Sequence, residues 1–326
     1  MPKFLVIRFS SIGDIVLTSP ILRCLKKQIK DSQVHFFTKI EYQEILEGNP
    51  YVDKIFTIGG NSDLHQAVRE LRQEKYDYVI DLHHNLRSSR VKSLLRRKSY
   101  SFPKLNFKKF LLTQFKVNKL ARDLHVVDRY FEAVKAIGVN NDQLGLDYFI
   151  PKKDHIDFQR FGIKPGYVAF SIAAKYGTKR LPPDLIIDLI KMINKPVVLL
   201  GGIADMENAR LIQMACPGTA NVCGELLLSK TASVLQQSAC VIAFDTGLMH
   251  IAAALEKPLL TIWGNTVREF GMYPYMPGNE KLFSIHEVDL KCRPCSKIGY
   301  NVCPKKHFKC MRNQDLEAIA REVNEL

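Results

Sequence analysis

The fold is decided by the stretch Val241-Ile-Ala-Phe-Asp245-Thr246-Gly247-Leu-Met-His250-Ile-Ala-Ala-Ala-Leu-Glu-Lys-Pro258-Leu-Leu-Thr-Ile-Trp263-Gly264-Asn-Thr266. A short apolar run ends at Asp245, an Ala-rich helical run follows, and a second apolar run closes at Gly264. The order is therefore strand, tight loop, helix and strand. Repeated units of this kind build a parallel sheet covered by helices.

The loop of this stretch, Asp245-Thr246-Gly247, lies at the carboxyl end of its strand. The first N–H groups of the following helix have no intrahelical partner there, and they can donate hydrogen bonds to a phosphate. The Asp245 carboxylate can cap the helix, Thr246 adds a hydroxyl, and Gly247 lets a ligand approach the backbone closely. The segment alone fits an N-capped core helix as well as a phosphate site, and both interpretations stay open.

Length and composition indicate a globular protein of two domains. The chain has 326 residues, 46% of them hydrophobic and 25% charged, and a single α/β core is usually smaller. Met1-Pro-Lys-Phe-Leu-Val-Ile-Arg8 has no secretion signal, and no apolar run approaches the ~18 residues of a membrane span. Because the eight cysteines suit a reducing compartment, we expect a cytoplasmic protein, with at most peripheral contact with the inner membrane.

The charge is strongly basic and unevenly placed. The formal net charge is +14, and between Arg87 and Arg122 the sequence has twelve Lys or Arg and no Asp or Glu. Such a segment favours a polyanionic partner, which could be nucleic acid, a membrane surface or a phosphorylated glycolipid. A solvated basic face is the alternative. Nucleic acid is disfavoured, because no base-stacking platform or recognition-helix pattern is present.

The strand, loop and helix order repeats along the chain and predicts two doubly wound, Rossmann-like α/β domains, residues 1–152 and 153–326, facing a central cleft. A final helix over Gln314–Leu326 could pack back on the first domain. Strands are expected at Lys3–Phe9, Val34–Thr38, Lys54–Ile58, Tyr78–Leu82, Tyr167–Ile172, Val197–Leu200, Val241–Phe244 and Leu259–Trp263. Helices are expected at Ile15–Lys30, Tyr42–Glu47, Leu64–Glu74, Asn106–Lys116, Val127–Ile137, Pro183–Ile193, Ala204–Ala215 and Thr231–Gln237.

Several separated motifs together resemble the bacterial heptosyltransferases of glycosyltransferase family 9. They are Arg8-Phe-Ser-Ser-Ile-Gly13-Asp14, Asp81–Ser89, Lys179-Arg-Leu-Pro182, Gly201-Gly202 with an acidic residue after it, Gly224, and Asp245–His250. The resemblance covers nearly the whole chain. It implies a glycosyltransferase B fold and an inverting, metal-independent transfer of a heptose from ADP-heptose to a hydroxyl of the lipopolysaccharide inner core, an anionic glycolipid acceptor.

The residue roles follow from this resemblance and from the chemistry of transfer. A base must take the proton of the acceptor hydroxyl, and cations or N–H groups must hold the departing diphosphate. Asp14 is expected to be the base, with a helix N-cap as the alternative, and Lys179 is expected to be catalytic through its contact with the phosphates. The expected nucleotide-sugar residues are Lys179, Asp205, Glu207, Asp245, Thr246, Gly247 and His250, of which Asp205 is the better match for the ribose and Glu207 the reserve. The expected acceptor residues are Ser11, Gly13, Asn85, Arg87 and Ser88.

Cysteines near the end of the sequence form the most unusual feature. Cys292-Arg-Pro-Cys295 is followed by Cys303 and Cys310, with His307 between them. Four thiolates could hold a structural zinc. The irregular spacing of the second pair disfavours it, and we expect no required cofactor.

Two other functions remain open at this stage. A nucleotide-sugar epimerase would use the same fold without an acceptor, and a nucleic-acid-binding protein would account for the charge but not for the ordered loop motifs. Another nucleotide sugar or another acceptor would also fit the sequence.

Overall fold

The computed structural model describes residues 1–59, 64–157 and 163–326. These residues divide into two compact units. The first comprises Met1–Leu105 and Leu124–Pro151, and the second comprises Asn106–Asp123 and Lys152–Leu326. The segment Asn106–Asp123, which the sequence pattern placed in the first domain, therefore groups with the second unit.

The part of the chain up to residue 151 contains alternating strands and helices, as the pattern predicts. Its strands are β1 (Lys3–Ile7), β2 (Gln33–Lys39), β3 (Lys54–Ile58), β4 (Tyr78–Asp81) and β5 (Lys98–Ser101). Its helices are α1 (Ile12–Val16), α2 (Ser19–Gln28), α3 (Leu64–Gln73), α4 (Leu86–Leu95), α5 (Asn106–Phe115) and α6 (Val126–Phe131).

The first unit is built on a parallel sheet with the strand order β3-β2-β1-β4-β5 among the described residues. Strand β1 is central, and Phe4, Leu5, Val6 and Ile7 are all buried, as expected for a strand covered on both faces. Helix α3 buries Ala67, Val68 and Leu71, which share one helical face and join Leu5 and Ile7 in one apolar cluster.

The part of the chain after residue 151 follows the same pattern. Its strands are β6 (Val168–Ser171), β7 (Val197–Leu200), β8 (Ala220–Asn221), β9 (Cys240–Phe244), β10 (Leu259–Trp263) and β11 (Phe283–Glu287). Its helices are α7 (Pro183–Met192), α8 (Met206–Ala215), α9 (Leu228–Gln237), α10 (Gly247–Ala254), α11 (Lys309–Arg312) and α12 (Leu316–Glu325).

The sheet of the second unit has the order β11-β10-β9-β6-β7-β8, and its strand pairs are parallel over the described residues. When the strands are counted from β6, this is the order 6-5-4-1-2-3 of the dinucleotide-binding fold. Phe170, Leu199, Phe244 and Ile262 lie in its main apolar cluster and are fully buried. The predicted fold class of two parallel, Rossmann-like α/β domains is thus confirmed.

The first helix differs from the prediction. A single helix over Ile15–Lys30 was expected, but the structure has α1 and α2 with a break at Leu17 and Thr18. The Thr18 hydroxyl donates to the Ile15 carbonyl at 2.7 Å, and Pro20 lies in the first turn of α2. Proline is tolerated in a first turn but not in a helix interior, which explains the break. Asp14 consequently lies inside a short helix, not in a loop.

Edge strands and short helices account for the remaining differences, and the helix expected over Tyr42–Glu47 is a 3-10 helix over Ile40–Leu46. Strands β5, β8 and β11 and helix α4 were not predicted. The first is the polar sequence Lys-Ser-Tyr-Ser and has no buried residue, so it carries no apolar signal. The helix predicted over Val127–Ile137 is α6 followed by a 3-10 turn, and it ends at Gly138 with φ of 79°, the left-handed stop that glycine permits.

The last helix packs within the second unit. Ile319, Ala320 and Val323 of α12 belong to the apolar cluster of that unit, whereas the sequence left open that this helix packs on the first domain. Among the helices that the structure describes, none is long and apolar enough to cross a membrane.

Close backbone packing at the end of β10 gives a stability prediction. A Cβ at Gly264 would lie 2.4 Å from the Thr178 carbonyl oxygen, so Gly264→Ala should force the two loops apart. We expect the free energy of unfolding to fall by about 1–3 kcal/mol. Gly218→Ala is the matched control, because a Cβ there meets nothing within 4 Å. Urea unfolding followed by circular dichroism measures both, and equal midpoints would contradict the prediction.

Candidate active site

Most of the predicted site residues follow the strands at which each sheet reverses its order, whereas Asp205 and Glu207 follow β7. In open parallel sheets, ligands bind beyond the carboxyl ends of strands at this reversal. In the first unit the reversal lies at β1 and β4, and in the second unit at β6 and β9. Ser11, Gly13 and Asp14 follow β1, and Lys179 follows β6. Each unit therefore carries candidate site residues along one edge of its own sheet.

Asp14 is held by its own helix start and by the end of β1. As the third residue of α1 it forms a capping box, in which its Oδ2 accepts from the Ser11 backbone N–H at 3.1 Å and from the Ser11 hydroxyl at 2.7 Å. Its Oδ1 pairs with the Arg8 guanidinium. Ser11 thus contacts the Asp14 carboxylate, and Gly13 is buried within α1. The Asp14 side chain remains 23% exposed, enough to meet an incoming hydroxyl.

Arg8 is a functional candidate that the sequence pattern did not assign. Its Nε donates to the Ser10 carbonyl at 2.9 Å and another of its nitrogens to the Leu82 carbonyl, so it joins the loops after β1 and β4. Its guanidinium also lies 5.9 Å from the Tyr130 ring centre. A charged residue at the end of a buried strand was the available signal. Arg8 thus holds the Asp14 carboxylate in an ion pair at the end of β1.

His83 is a second residue that sequence reasoning missed. Burial, followed by the nearby charges of Arg8 and Lys104, lowers the pKa of His83 to about 4. Its Nδ1 is buried and has no hydrogen-bond partner within the described chain, and its ring packs edge-on against Phe9. His83 is therefore a neutral imidazole at physiological pH, in the same electrostatic environment as Asp14.

The loop after β4 is organised by a buried aspartate. Asp81 Oδ1 accepts from the backbone N–H groups of His83 and His84 at 3.0 and 2.7 Å. Its Oδ2 accepts from the Ser88 hydroxyl at 2.8 Å and pairs with Lys92 at 2.9 Å. Ser88, expected to bind the acceptor, is fully buried. Its position fits the start of α4 better than a ligand contact.

Asn85 and Arg87 differ from Ser88 in their exposure. Asn85 is the N-cap of α4 and accepts from the Ser88 N–H at 2.9 Å. Capping explains both its position and the start of a helix that the sequence did not predict. Arg87 is exposed, and its guanidinium lies 5.9 Å from the Phe9 ring centre. Of these three candidates, Arg87 is the one that presents an accessible positive charge.

In the second unit, Lys179 and Asp245 form a partly buried ion pair. The Lys179 ammonium contacts Asp245 Oδ2 at 2.5 Å and the Asp245 carbonyl at 3.1 Å. Thr266 donates its hydroxyl to the same Oδ2 at 2.7 Å. The sequence suggested that the Asp245 carboxylate could cap α10. In the structure this carboxylate instead contacts the loops after β6 and β10, and it does not cap the helix. The sequence pattern assigns no role to Thr266, which the structure shows to be a partner of Asp245.

Thr246 occupies the N-cap position of α10. Its hydroxyl oxygen is buried and has no hydrogen-bond partner in the described ranges, and it makes no capping hydrogen bond. Gly247 begins the helix and is partly exposed. A hydroxyl beside the first N–H groups of an eight-residue helix is the arrangement that receives a phosphate. His250 is 2% exposed and lies one turn further into the helix.

The two carboxylates expected near the ribose differ in what they contact. Asp205 is 4% exposed, accepts from the Gly202 N–H at 2.9 Å and pairs with Arg180 at 2.8 Å. Glu207 lies in the first turn of α8 and is exposed. Asp205 was the preferred sequence match, but its carboxylate already stabilises the loop after β7. Glu207 is the carboxylate that a ligand can reach.

The cysteine segment supports the Lys179 loop. The Thr178 N–H donates to the Tyr300 carbonyl at 3.0 Å, and the Tyr300 N–H donates to the Thr178 hydroxyl at 2.8 Å. The Arg293 guanidinium donates to the Thr266 carbonyl at 2.7 Å. The segment that carries the cysteines therefore braces the two loops that hold Asp245.

Cys292, Cys295, Cys303 and Cys310 are all free cysteines in the structure. Within the described ranges, no group of three or more His, Cys, Asp or Glu side chains is arranged to hold a metal ion. Burial, with nearby Cys295, raises the pKa of Cys310 to about 11, so its thiol stays protonated at neutral pH. Cys292 has its sulfur 3.7 Å from the His307 ring.

Comparison with known proteins settles which family these motifs belong to. A sequence model described as glycosyltransferase family 9 (heptosyltransferase) matches residues 64–305, more than half of the chain. The chain belongs to glycosyltransferase family 9. The resemblance seen in the motifs is thereby confirmed, and this family 9 protein is a glycosyltransferase of the B fold.

Individual relatives agree with the family assignment. Lipopolysaccharide heptosyltransferase 1 of Campylobacter coli is 24% identical over 290 residues, which cover 81% of this chain and 84% of the relative. A solved glycosyl transferase family 9 structure from Veillonella parvula covers 99% of this chain and 95% of its own, with 20% identity and a TM-score of 0.74. The structure of E. coli ADP-heptose lps heptosyltransferase II covers 98% of this chain and 99% of its own, with 19% identity and a TM-score of 0.71.

The lowered pKa of His83 predicts a loss of stability in mild acid. The pKa of His83 is the ordinary histidine value of about 6.5 in the unfolded chain and about 4 in the folded protein, so between these pH values the unfolded chain binds more protons. Lowering the pH from 7 to 5 should therefore reduce the free energy of unfolding by about 1–2 kcal/mol more in the wild type than in His83→Gln. Urea unfolding at both pH values tests this, and equal losses in the two proteins would refute it.

Proposed function

We propose that this glycosyltransferase moves a heptose from ADP-heptose to a hydroxyl of the lipopolysaccharide inner core, with inversion at the anomeric carbon. The observation that carries the proposal is the edge of the second unit. There the Lys179 ammonium, the Thr246 hydroxyl and the start of α10 lie on the loops after β6 and β9, and that hydroxyl has no hydrogen-bond partner among the described residues. The family description and the names of the relatives supply the sugar, the nucleotide and the acceptor class.

The departing diphosphate is the group that this edge would stabilise. Two of the three Lys179 ammonium donors point to Asp245, and the third can donate to a phosphate oxygen. The Thr246 hydroxyl and the first N–H groups of α10 can donate to the other oxygens. Charge builds up on the diphosphate as the bond to the sugar breaks, so donors held in place before the reaction lower the barrier.

Asp14 is the proposed base. The acceptor oxygen attacks the anomeric carbon on the face opposite the diphosphate, its proton passes to the Asp14 carboxylate, and the electron pair of the breaking bond leaves on the phosphate oxygen of ADP. Arg8 and Ser11 hold the carboxylate for this step. Lys179, Thr246 and Asp14 use no catalytic metal in this scheme.

The acceptor is proposed to bind through Arg87 and Asn85 of the first unit. Arg87 is exposed beside Phe9, and a guanidinium binds a carboxylate or phosphate of a glycolipid in a bidentate manner. The acceptor would be reached by peripheral contact with the cytoplasmic face of the inner membrane.

Replacing Asp14 tests the proposed base. Asp14→Asn keeps the size of the side chain but cannot accept the proton, so kcat should fall by about 10²–10⁴-fold. Release of ADP from ADP-heptose in the presence of a lipopolysaccharide core acceptor measures it. Glu70→Gln, an exposed carboxylate of α3, is the matched control and should retain full activity.

An assay with ADP-, UDP- and GDP-sugars as donors decides between this proposal and its alternatives. ADP-heptose should be used in preference to UDP- and GDP-sugars, and ADP release should require the acceptor. Preference for a UDP- or GDP-sugar would overturn the assignment of the donor. Conversion of the sugar without an acceptor would indicate an epimerase.

Variants of Glu207 and Asp205 give a second test, which asks which of the two carboxylates binds the ribose of the donor. Because Glu207 is the exposed carboxylate, Glu207→Gln should raise the KM for the donor roughly tenfold without lowering stability. Asp205→Asn removes the partner of Arg180 and should lower the free energy of unfolding by about 2 kcal/mol. Kinetics and urea unfolding of both variants check the assignment. A raised KM in a fully stable Asp205→Asn protein would reverse it.

A further inference from the structure

Helix α5 exposes three aromatic rings that the proposed chemistry does not use. Phe107 is 71% exposed, Phe110 is 45% exposed and Phe115 is 64% exposed. At 100° per residue these three positions fall on one arc of about 140°, opposite the buried Leu112 and Thr113. We call Phe107, Phe110 and Phe115 the α5 aromatic face.

The helix is firmly attached to its own unit. The Lys116 ammonium donates to the Thr113 carbonyl at 2.9 Å and to the Pro294 carbonyl at 2.6 Å. The Lys109 ammonium lies 5.6 Å from the Phe270 ring centre. Phe110 and Phe115 contact each other edge to face with ring centres 5.9 Å apart. The aromatic face is therefore presented by an anchored helix, and its exposure is a property of the fold.

Only positive charge surrounds these rings along the chain. Residues 106–122 include Lys108, Lys109, Lys116, Lys119 and Arg122 and no Asp or Glu. A helix that combines exposed aromatic rings with lysines and lacks acidic residues is suited to the interface of an anionic bilayer. The rings enter the headgroup region, and the exposed ammonium groups of Lys108 and Lys119 meet the lipid phosphates. A protein partner would require acidic groups around an apolar pocket, whereas a bilayer supplies both everywhere on its surface.

We propose that the α5 aromatic face docks on an anionic lipid bilayer, with Phe107, Phe110 and Phe115 in the headgroup region. This deepens the proposed function, because a glycolipid acceptor lies in such a surface. Vesicle binding is measured without donor or acceptor, however, so its failure and a failure of sugar transfer can be told apart.

Vesicle sedimentation of the full chain is the first test. The wild type should bind phosphatidylcholine vesicles that contain phosphatidylglycerol and bind pure phosphatidylcholine weakly. Phe107→Ser/Phe115→Ser should lower the partition coefficient at least tenfold, and Lys108→Glu/Lys119→Glu should lower it by a factor of about five per lysine. Activity on a water-soluble acceptor should not change in the Phe107→Ser/Phe115→Ser protein.

Helix α8 supplies the matched control. Leu211 and Met214 are 52% and 73% exposed, so Leu211→Ser/Met214→Ser removes similar exposed apolar surface from another helix. This variant should bind vesicles as the wild type does. Equal binding by the Phe107→Ser/Phe115→Ser protein and the wild type would overturn the proposal.

A fluorescent reporter gives a second, independent test. The sequence has one tryptophan, Trp263, which is fully buried, so a tryptophan placed at the surface reports its own environment. Brominated anionic lipids should quench the added emission of Phe115→Trp but not that of Met214→Trp. No quenching at position 115 would refute the proposal. So would a wild-type dimer that Phe107→Ser/Phe115→Ser converts to monomer in sedimentation velocity, since the face would then bind a second copy.

Discussion

The arrangement of the second unit depends on the ion pair between Lys179 and Asp245. It joins the loop after β6 to the loop after β9, and Thr266 brings in the loop after β10. Removing one partner of such a pair leaves a buried charge and is strongly destabilising, even where the pair itself adds little net stability. The pair therefore helps to hold in place the loop that leads into α10. Lys179 combines this structural role with the donor that the proposed reaction needs.

The first unit uses the same device with different residues. There a carboxylate just after β1, Asp14, is paired with Arg8 at the end of that strand. In both units a cation and a carboxylate meet at the reversal of strand order, where backbone N–H groups and loop side chains converge. The difference lies in exposure: the Asp14 side chain is 23% exposed and that of Asp245 is 9% exposed. This contrast supports the proposal that Asp14 acts on a substrate while Asp245 organises its neighbours.

The strands of the two sheets could largely be predicted, because central parallel strands are continuous apolar runs. The bounds of β3, β7 and β10 agree with the prediction to the residue. What could not be predicted depends on contacts between distant residues. The sequence favours Asp205 as the ribose carboxylate but carries no sign of its ion pair with Arg180, 25 positions away in the sequence. Polar edge strands such as β5 carry no signal, since few of their side chains are buried.

The course of the segment Asn106–Asp123 also constrains how the protein is made. The chain leaves the first unit after Leu105, contributes α5 to the second, and returns at Leu124 to complete the first. During synthesis α5 therefore emerges before most of the unit on which it packs, while the first unit is still incomplete. The aromatic helix therefore lacks its packing partners until the rest of the second unit has been synthesised. For the same reason, no single cut yields two complete fragments, and a split near residue 151 would give a first half that carries an orphan helix.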